Sequence, residues 1–89
     1  MRRIEPTNAF KREAKGKYRS ALTNDFAHVV RALATDEPLE VRYRDHPLTG
    51  EWNDHRDCPI KPDLVLIYRK ADPDTLQLVR LGSHSELVL

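Results

Sequence analysis

The chain has 89 residues, of which 39% are hydrophobic and 33% charged, and its formal net charge is +1. This length allows one small domain, residues 1–89, with a modest core. No apolar run approaches the ~20 residues that span a bilayer, and the charged amino terminus lacks the apolar stretch of a signal peptide. We therefore expect a cytoplasmic protein without membrane contact, in which the single Cys58 is a half-buried strand thiol and not a nucleophile.

The beginning of the chain predicts a strand followed by a helix. Residues 3–5 fit a short first strand. Thr7 or Asn8 is a suitable N-cap for a helix that runs to about Lys15. Gly16 follows and is expected to end this helix.

A second helix is predicted from about Ser20 to Ala34, and Pro38 with its acidic neighbours stops it. The apolar residues of this segment recur at helical spacing, so they form one stripe that is expected to face a sheet. These residues are Leu22, Phe26, Val29, Val30 and Leu33.

The next segment predicts a half-buried strand and then a loop. Leu39, Val41 and Tyr43 alternate with charged residues, which is typical of a strand with one wet face. Residues 44–52 are rich in turn formers. They contain His46, and loops on a rigid scaffold are common places for chemistry.

The strongest apolar run lies at residues 64–68, LVLIY. Consecutive apolar residues bounded by turn formers are typical of a central strand that is covered on both faces. Residues 61–63, Lys-Pro-Asp, predict a tight turn before it. Residues 55–60 are therefore expected to pair with this strand in an antiparallel hairpin.

The chain closes with a turn at residues 71–74, a strand from Thr75 to Leu81, a break at Gly82 and one helical turn at residues 83–87. Together these elements predict an α+β domain. Its small, twisted, mainly antiparallel sheet would carry the two N-terminal helices on one face.

The charge is unevenly distributed. Residues 1–20 carry seven Lys or Arg residues against Glu5 and Glu13, whereas the remainder has eight basic and twelve acidic residues. This asymmetry suggests an anionic partner for the basic end, and a solvated helix face is the alternative explanation.

Three motifs in order give the chain a family resemblance: DHPLTGEW at residues 45–52, RDCPIKPDLVLIYR at 56–69 and LQLVRLGSHSEL at 76–87. With these motifs the chain resembles the YafQ branch of the RelE-like toxins, small bacterial ribonucleases of toxin–antitoxin pairs. The resemblance implies a RelE-like fold and a ribosome-dependent mRNA endonuclease. It also implies a monomeric toxin that assembles with a dimeric antitoxin, and rRNA as the partner of the basic end. The basic residues expected to contact RNA there are Lys11, Arg12 and Lys15.

RNA cleavage by transesterification needs a base for the ribose 2′-hydroxyl, an acid for the leaving 5′-oxygen and a cation for the phosphate, and imidazole and guanidinium groups suit these tasks. The family resemblance assigns the tasks. His84 is similar to the proton donor and Arg80 to the phosphate clamp. His46 and Asp63 are similar to the supporting acid–base pair, and Asp57 to a further active-site carboxylate.

The chain departs from the family pattern at two positions. Pro59 stands where YafQ toxins have a histidine, and it can neither transfer a proton nor donate a backbone hydrogen bond. Val88 replaces an aromatic residue. His55 lies about 13 Å back along the strand at ~3.3 Å per residue, too far to replace the missing imidazole.

Two functions remain open: an active mRNA endonuclease, and a weakened toxin-fold binding module that still binds antitoxin or ribosome. No cofactor is predicted. No histidine or cysteine pair has HxxxH or CxxC spacing, so no metal site is predicted either, and the endonuclease is expected to act without a metal.

Overall fold

The computed structural model describes all residues, 1–89, and contains one five-stranded sheet and two α-helices. In chain order the elements are β1 (Arg3–Pro6), α1 (Asn8–Lys15), α2 (Asn24–Ala34), β2 (His46–Pro47), β3 (Arg56–Lys61), β4 (Leu64–Asp72) and β5 (Thr75–Gly82). Three short 3₁₀ turns occupy Arg19–Ala21, Val41–Tyr43 and Gly50–Trp52. Neither helix is long or apolar enough to cross a membrane.

The sheet has the order β1-β5-β4-β3-β2. β1 runs parallel to β5, and all other neighbours are antiparallel. The predicted α+β class with a mainly antiparallel sheet is therefore confirmed. β4 is the central strand, and residues 64–68 are buried throughout, as the continuous apolar run predicted.

Both helices pack on one face of the sheet and share a core with it. The larger cluster of this core contains Phe10, Ala14, Val29, Val30, Leu33, Ala34, Tyr43, Cys58, Ile60, Leu64, Leu66, Tyr68, Leu76, Leu78 and Leu81. The opposite face has a smaller cluster of Val65, Ile67 and Leu87, against which Leu48, Trp52 and Val79 pack. This division follows from the strand period of two, which sends alternate residues of β3 and β4 to opposite faces.

The capping signals of α1 function as predicted. The Thr7 hydroxyl accepts a hydrogen bond from the Phe10 backbone N–H at 3.1 Å. The Gly16 N–H closes the helix on the Arg12 carbonyl at 2.9 Å. Phe10 and Ala14 are buried against the sheet, so the polar face that carries Lys11, Arg12 and Lys15 remains in solvent.

The prediction for the start of α2 was wrong by about one turn. α2 begins at Asn24, after Thr23 as N-cap, and residues 19–21 form a separate 3₁₀ turn. Leu22 has ψ 65°, outside the helical region, and 47% of the residue is exposed. It therefore does not belong to the buried stripe, which begins with Phe26. The apolar periodicity predicted helix in this segment as well, but here the backbone turns away from the sheet.

The strand predicted at residues 39–43 was also wrong. Val41–Tyr43 form a 3₁₀ turn, in which Val41 is 92% exposed and Tyr43 is buried. The Tyr43 ring lies 6.1 Å from the His28 ring of α2, and the Arg42 guanidinium lies 4.8 Å from its centre. Packing of this one aromatic ring against α2 overrides the alternating pattern, because β propensity depends on a partner strand being available.

The predicted hairpin is present, and β4 forms a second one with β5. β3 pairs with β4 around Pro62 and Asp63, with a register shift between Pro59 and Lys61. β4 continues to Asp72, so the second turn is shorter than the predicted residues 71–74. After β5, the Leu87 N–H bonds the Ser83 carbonyl at 3.1 Å, which gives the predicted closing helical turn.

Candidate active site

A polar cavity of about 490 Å³ lies beside β3, whose outer edge is covered by β2 only at residues 56 and 57. It is lined by Asp25, Arg42, Tyr43, Arg44, His46, Pro59, Ile60, Lys61, Pro62 and His84. Two of the predicted catalytic residues, His46 and His84, therefore line the same cavity. Their positions are 38 residues apart along the chain, so only the tertiary structure brings them together.

His46 lies on β2 and pairs with Asp57 of β3. Its Nδ1 is 2.6 Å from the Arg44 carbonyl, which can only accept, so Nδ1 carries a proton. Its Nε2 faces Asp57 Oδ2 at 3.6 Å. One imidazole nitrogen of His46 therefore contacts a backbone carbonyl, and the other faces a carboxylate.

Asp45 anchors the loop that carries His46 to the sheet. Its Oδ1 accepts a hydrogen bond from the Tyr68 hydroxyl at 2.6 Å and another from Arg56 Nε at 3.1 Å. Tyr68 is a core residue of β4 that is 1% exposed, and burial raises the pKa of its hydroxyl, which therefore stays a donor. The position of His46 thus depends directly on a buried residue of the central strand.

Asp57 is 2% exposed, and its Oδ1 is buried without a hydrogen-bond partner. Burial raises the pKa of Asp57 above its ordinary value of 3.8, and the neighbouring imidazoles of His46 and His84 act in the opposite direction. A buried carboxylate with an unpartnered oxygen is costly, so such groups are rare outside functional sites. The adjacent Cys58 faces the helix side. It is fully buried, whereas the sequence predicted a half-buried thiol, and burial raises the pKa of this thiol to about 12.

His84 lies in the closing turn after β5 and contacts Asp63. Its Nδ1 is 3.3 Å from Asp63 Oδ1, and its backbone N–H donates to the same oxygen at 3.4 Å. The family resemblance implied that His46 and Asp63 form an acid–base pair. In the structure, His46 lies beside Asp57 and His84 beside Asp63. Each histidine therefore has its own carboxylate.

The turn that carries His84 is held by a capping box, Ser83 to Glu86. The Ser83 N–H donates to the Glu86 carboxylate at 2.9 Å, and the Glu86 N–H donates back to the Ser83 hydroxyl at 3.2 Å. Lys17 Nζ also contacts Glu86 at 2.6 Å, and Tyr18 donates its hydroxyl to it. These donors, Lys17 foremost, lower the pKa of Glu86 to about 2. The turn that carries His84 is therefore linked to the segment that follows α1.

The predicted phosphate clamp, Arg80, does not line the cavity of the two histidines. Its guanidinium donates to Glu13 of α1 at 2.7 and 3.0 Å, and it borders a second cavity beside Trp52. Glu13 also accepts the Leu81 N–H at 3.1 Å. The Arg80 guanidinium is thus engaged by a carboxylate within the chain.

The three predicted RNA-binding residues of α1 lie on its exposed face, outside this cavity, and none forms an ion pair within the chain. They are Lys11, Arg12 and Lys15.

The sequence analysis missed three cations of the cavity, Arg42, Arg44 and Lys61. Arg44 precedes His46 by two residues, and Lys61 occupies the predicted hairpin turn, so closeness to those two features was the signal that could have found them. Pro59 also lines the cavity, so the position at which the family resemblance implies a histidine lies within it. His55 does not line it and instead contacts the Trp52 ring.

Comparison with known proteins assigns the family. A model of the bacterial toxin YafQ of type II toxin–antitoxin systems matches residues 2–89. The chain belongs to the YafQ toxin family. An mRNA interferase toxin YafQ from Escherichia coli strain B is 33% identical over 89 residues, which cover 98% of this chain and 96% of that relative. Shorter matches to YafQ proteins of Haemophilus influenzae and Escherichia coli K12 span only 62% and 53% of those relatives.

Solved structures of YafQ toxins share the whole fold. A metal-bound toxin from Helicobacter pylori is 45% identical with a TM-score of 0.86, and the match covers 98% of this chain and 99% of that one. The YafQ chain of the Escherichia coli DinJ–YafQ complex is 29% identical with a TM-score of 0.81, and the match covers 98% of both chains. The RelE-like fold is therefore confirmed. In this chain, no three His, Cys, Asp or Glu side chains lie close enough together to hold a metal ion.

The buried Asp57 generates a stability prediction. Asp57→Asn should raise the free energy of unfolding at neutral pH by about 1 kcal/mol, because a neutral amide loses less on burial than a carboxylate with an unpartnered oxygen. The attraction between His46 and the Asp57 carboxylate offsets little of this burial cost, since half of the His46 side chain is exposed. The folded pKa is raised, so the parent loses stability as pH rises from below 3.8 through that pKa. The advantage of asparagine should therefore vanish at low pH.

Urea unfolding of both proteins across the acid range measures this difference. Asp54→Asn is the matched control, because Asp54 is an exposed loop residue with φ 68°, a conformation that asparagine tolerates. A destabilised Asp57→Asn protein at neutral pH, or an advantage independent of pH, would contradict the argument.

Proposed function

We propose that the chain is a ribosome-dependent endonuclease that cleaves mRNA by attack of the ribose 2′-hydroxyl on the adjacent phosphate and so inhibits translation. The observation that carries this proposal is the cavity shared by His46 and His84, each with an aspartate within 4 Å. The relatives from Escherichia coli are named mRNA interferase toxins, which supports the same activity.

In the proposed reaction, His46 Nε2 takes the proton of the 2′-hydroxyl, and Asp57 stabilises the imidazolium that results. His84 donates a proton to the leaving 5′-oxygen, and Asp63 orients its ring through Nδ1. One imidazole must therefore start neutral and the other protonated, as a base and an acid that act in the same reaction require. The resemblance to YafQ toxins also makes Arg80 a candidate phosphate contact. We propose a reaction without a metal ion, because positioned imidazoles can supply both proton transfers and a guanidinium can stabilise the phosphate charge.

The proposed macromolecular partners are the ribosome with its mRNA and a cognate antitoxin. The exposed cations of α1 support an rRNA contact, because phosphate neutralisation releases counterions and favours basic surfaces. The DinJ–YafQ complex supports neutralisation of a monomeric toxin by a separate antitoxin protein, which we propose to be dimeric. We place this activity in the cytoplasm.

A second candidate function is a weakened toxin-fold module that binds antitoxin or ribosome without efficient cleavage. Pro59 favours it, since a residue that cannot transfer a proton lines the cavity. The two candidates differ in one measurable property. The endonuclease produces new mRNA 5′ ends on ribosomes, and the module does not.

We expect His84→Ala to lower ribosome-dependent cleavage by about 10²- to 10⁴-fold, the contribution of one positioned acid–base group. Folding should be unaffected, because His84 is half exposed and lies outside the core. The assay maps mRNA 5′ ends with purified protein and ribosomes, and a parallel reaction with protein that was treated with EDTA and then freed of the chelator tests metal independence. His28→Ala is the control, since His28 is an exposed α2 histidine paired with Glu40. Cleavage by His84→Ala at the parent rate would remove His84 from the mechanism.

We expect reversal of Lys11, Arg12 and Lys15 to glutamate to weaken ribosome co-sedimentation and reduce its salt dependence by about one log–log unit per lost phosphate contact. Arg12→Glu and Arg31→Glu form a matched pair, because each reverses one exposed charge in the last turn of a helix. Only Arg12→Glu should weaken binding. Equal effects of the two would attribute binding to net charge instead of this surface.

We expect Pro59→His to raise cleavage, by at most about 10²- to 10⁴-fold, because it adds an imidazole to the cavity. The sheet should accept it, since β2 covers β3 only at residues 56 and 57 and leaves the edge at position 59 open. Pro59→Ala is the control for removal of the proline ring. Equal rates for the parent, alanine and histidine proteins would make position 59 structural, and no cleavage from any of them would favour the binding module.

A further inference from the structure

The cavity of the two histidines is rich in permanent positive charge. Three cations, Arg42, Arg44 and Lys61, line it, whereas Asp25 is its one lining carboxylate. The chain as a whole carries almost no net charge. A cavity lined by one sign of charge concentrates ligands of the other sign, so this cavity is suited to an anionic group.

Two of these cations are already engaged within the chain. Lys61 Nζ lies 3.5 Å from Asp25 Oδ2. The Arg42 guanidinium lies over the Tyr43 ring, donates to its hydroxyl at 3.0 Å and approaches Glu40 at 3.8 Å. Arg44 forms no side-chain hydrogen bond, ion pair or ring contact, and it is exposed. It therefore provides the one free guanidinium of the cavity.

The backbone of Arg44 couples this side chain to His46. Arg44 adopts φ 50° and ψ 37°, the left-handed region that residues with a Cβ rarely enter. In this conformation its carbonyl accepts the Nδ1 proton of His46 at 2.6 Å. The free guanidinium and the imidazole thus belong to one locally constrained turn, and the hydrogen bond leaves Nε2 as the reactive nitrogen.

Arg80 does not offer an equivalent group. Two of its guanidinium nitrogens contact Glu13 within 3.0 Å, and it lines the separate cavity beside Trp52. To bind phosphate near the histidines it would have to leave a two-nitrogen contact with a carboxylate, which is among the stronger polar interactions of proteins.

We propose that Arg44 is the phosphate-binding residue of the histidine cavity, and that it holds the RNA phosphodiester between His46 and His84. A guanidinium presents a planar fork of donors that matches two phosphate oxygens, which lysine cannot do. The inference rests on the proposed nuclease function for its RNA ligand, but the anion site itself can be measured without cleavage.

The test compares Arg44→Gln, Arg44→Lys and the control Arg31→Gln. Arg31 is an exposed arginine of α2 that forms no ion pair and does not line this cavity. The first measurement titrates each full-length protein with inorganic phosphate and follows the ring resonances of His46 and His84 by NMR. Arg44→Gln should weaken phosphate binding at both rings by about 10-fold or more, the effect of losing a charge-assisted contact. Arg44→Lys should lose less, and Arg31→Gln should match the parent.

The second measurement is ribosome-dependent mRNA cleavage by the same proteins. Arg44→Gln should lower kcat/KM by about 10- to 100-fold, with Arg44→Lys between it and the parent. Without phosphate, the His46 resonances of the Arg44→Gln protein should match those of the parent, which verifies that the turn is intact. If glutamine disturbs the turn, the comparison of Arg44→Lys with the parent decides the result.

Phosphate binding that depends on Arg44 without cleavage by the parent would sustain this site while refuting the nuclease proposal. Unchanged phosphate binding and cleavage in both Arg44 variants would overturn the inference. The same holds if Arg80→Gln, and not Arg44→Gln, abolishes phosphate binding at the two rings.

Discussion

The pairing of β4 with both of its neighbours is the constraint on which the candidate site depends. Residues 64–68 are buried on both faces, so a register slip of one residue would exchange the two faces along the whole strand. Ile67 pairs with Asp57 on one side and with Arg80 on the other. This row of paired residues across β3, β4 and β5 determines the face of the sheet on which Asp57 lies. His46 lies beside Asp57 because β2 pairs with β3 at this position.

The two histidines lie where regular structure is minimal, on a two-residue strand and in a closing turn. Each of these two segments is held in place by a carboxylate that bonds a residue far away in the sequence. Asp45 bonds Tyr68, and Glu86 contacts Lys17. Such contacts limit the conformational freedom of short segments that have little core of their own. The fold can thereby present both imidazoles at an open cavity without burying them.

The site also carries a stability penalty. Asp57 is buried with one unpartnered oxygen, and Arg44 occupies the left-handed region without being glycine. Unfavourable features of this kind cluster at functional sites, where the surrounding structure maintains them. Both residues contact His46. Two unfavourable local features of the chain therefore meet at one imidazole, which agrees with a chemical function for it.

The sequence by itself determined the elements with strong local signals: α1 between Thr7 and Gly16, the buried run of β4, its hairpin with β3, and β5 up to Gly82. It also named His46, Asp57 and His84 through the family motifs, which proved to lie close together. The tertiary structure decided what depends on distant contacts. It placed Leu22 and Val41 in solvent, gave each histidine its own aspartate, tied Arg80 to Glu13 and left Arg44 free. Periodicity records which side of an element is apolar, but not which partner covers that side. The pairing of charges far apart in sequence is therefore settled only when the chain folds.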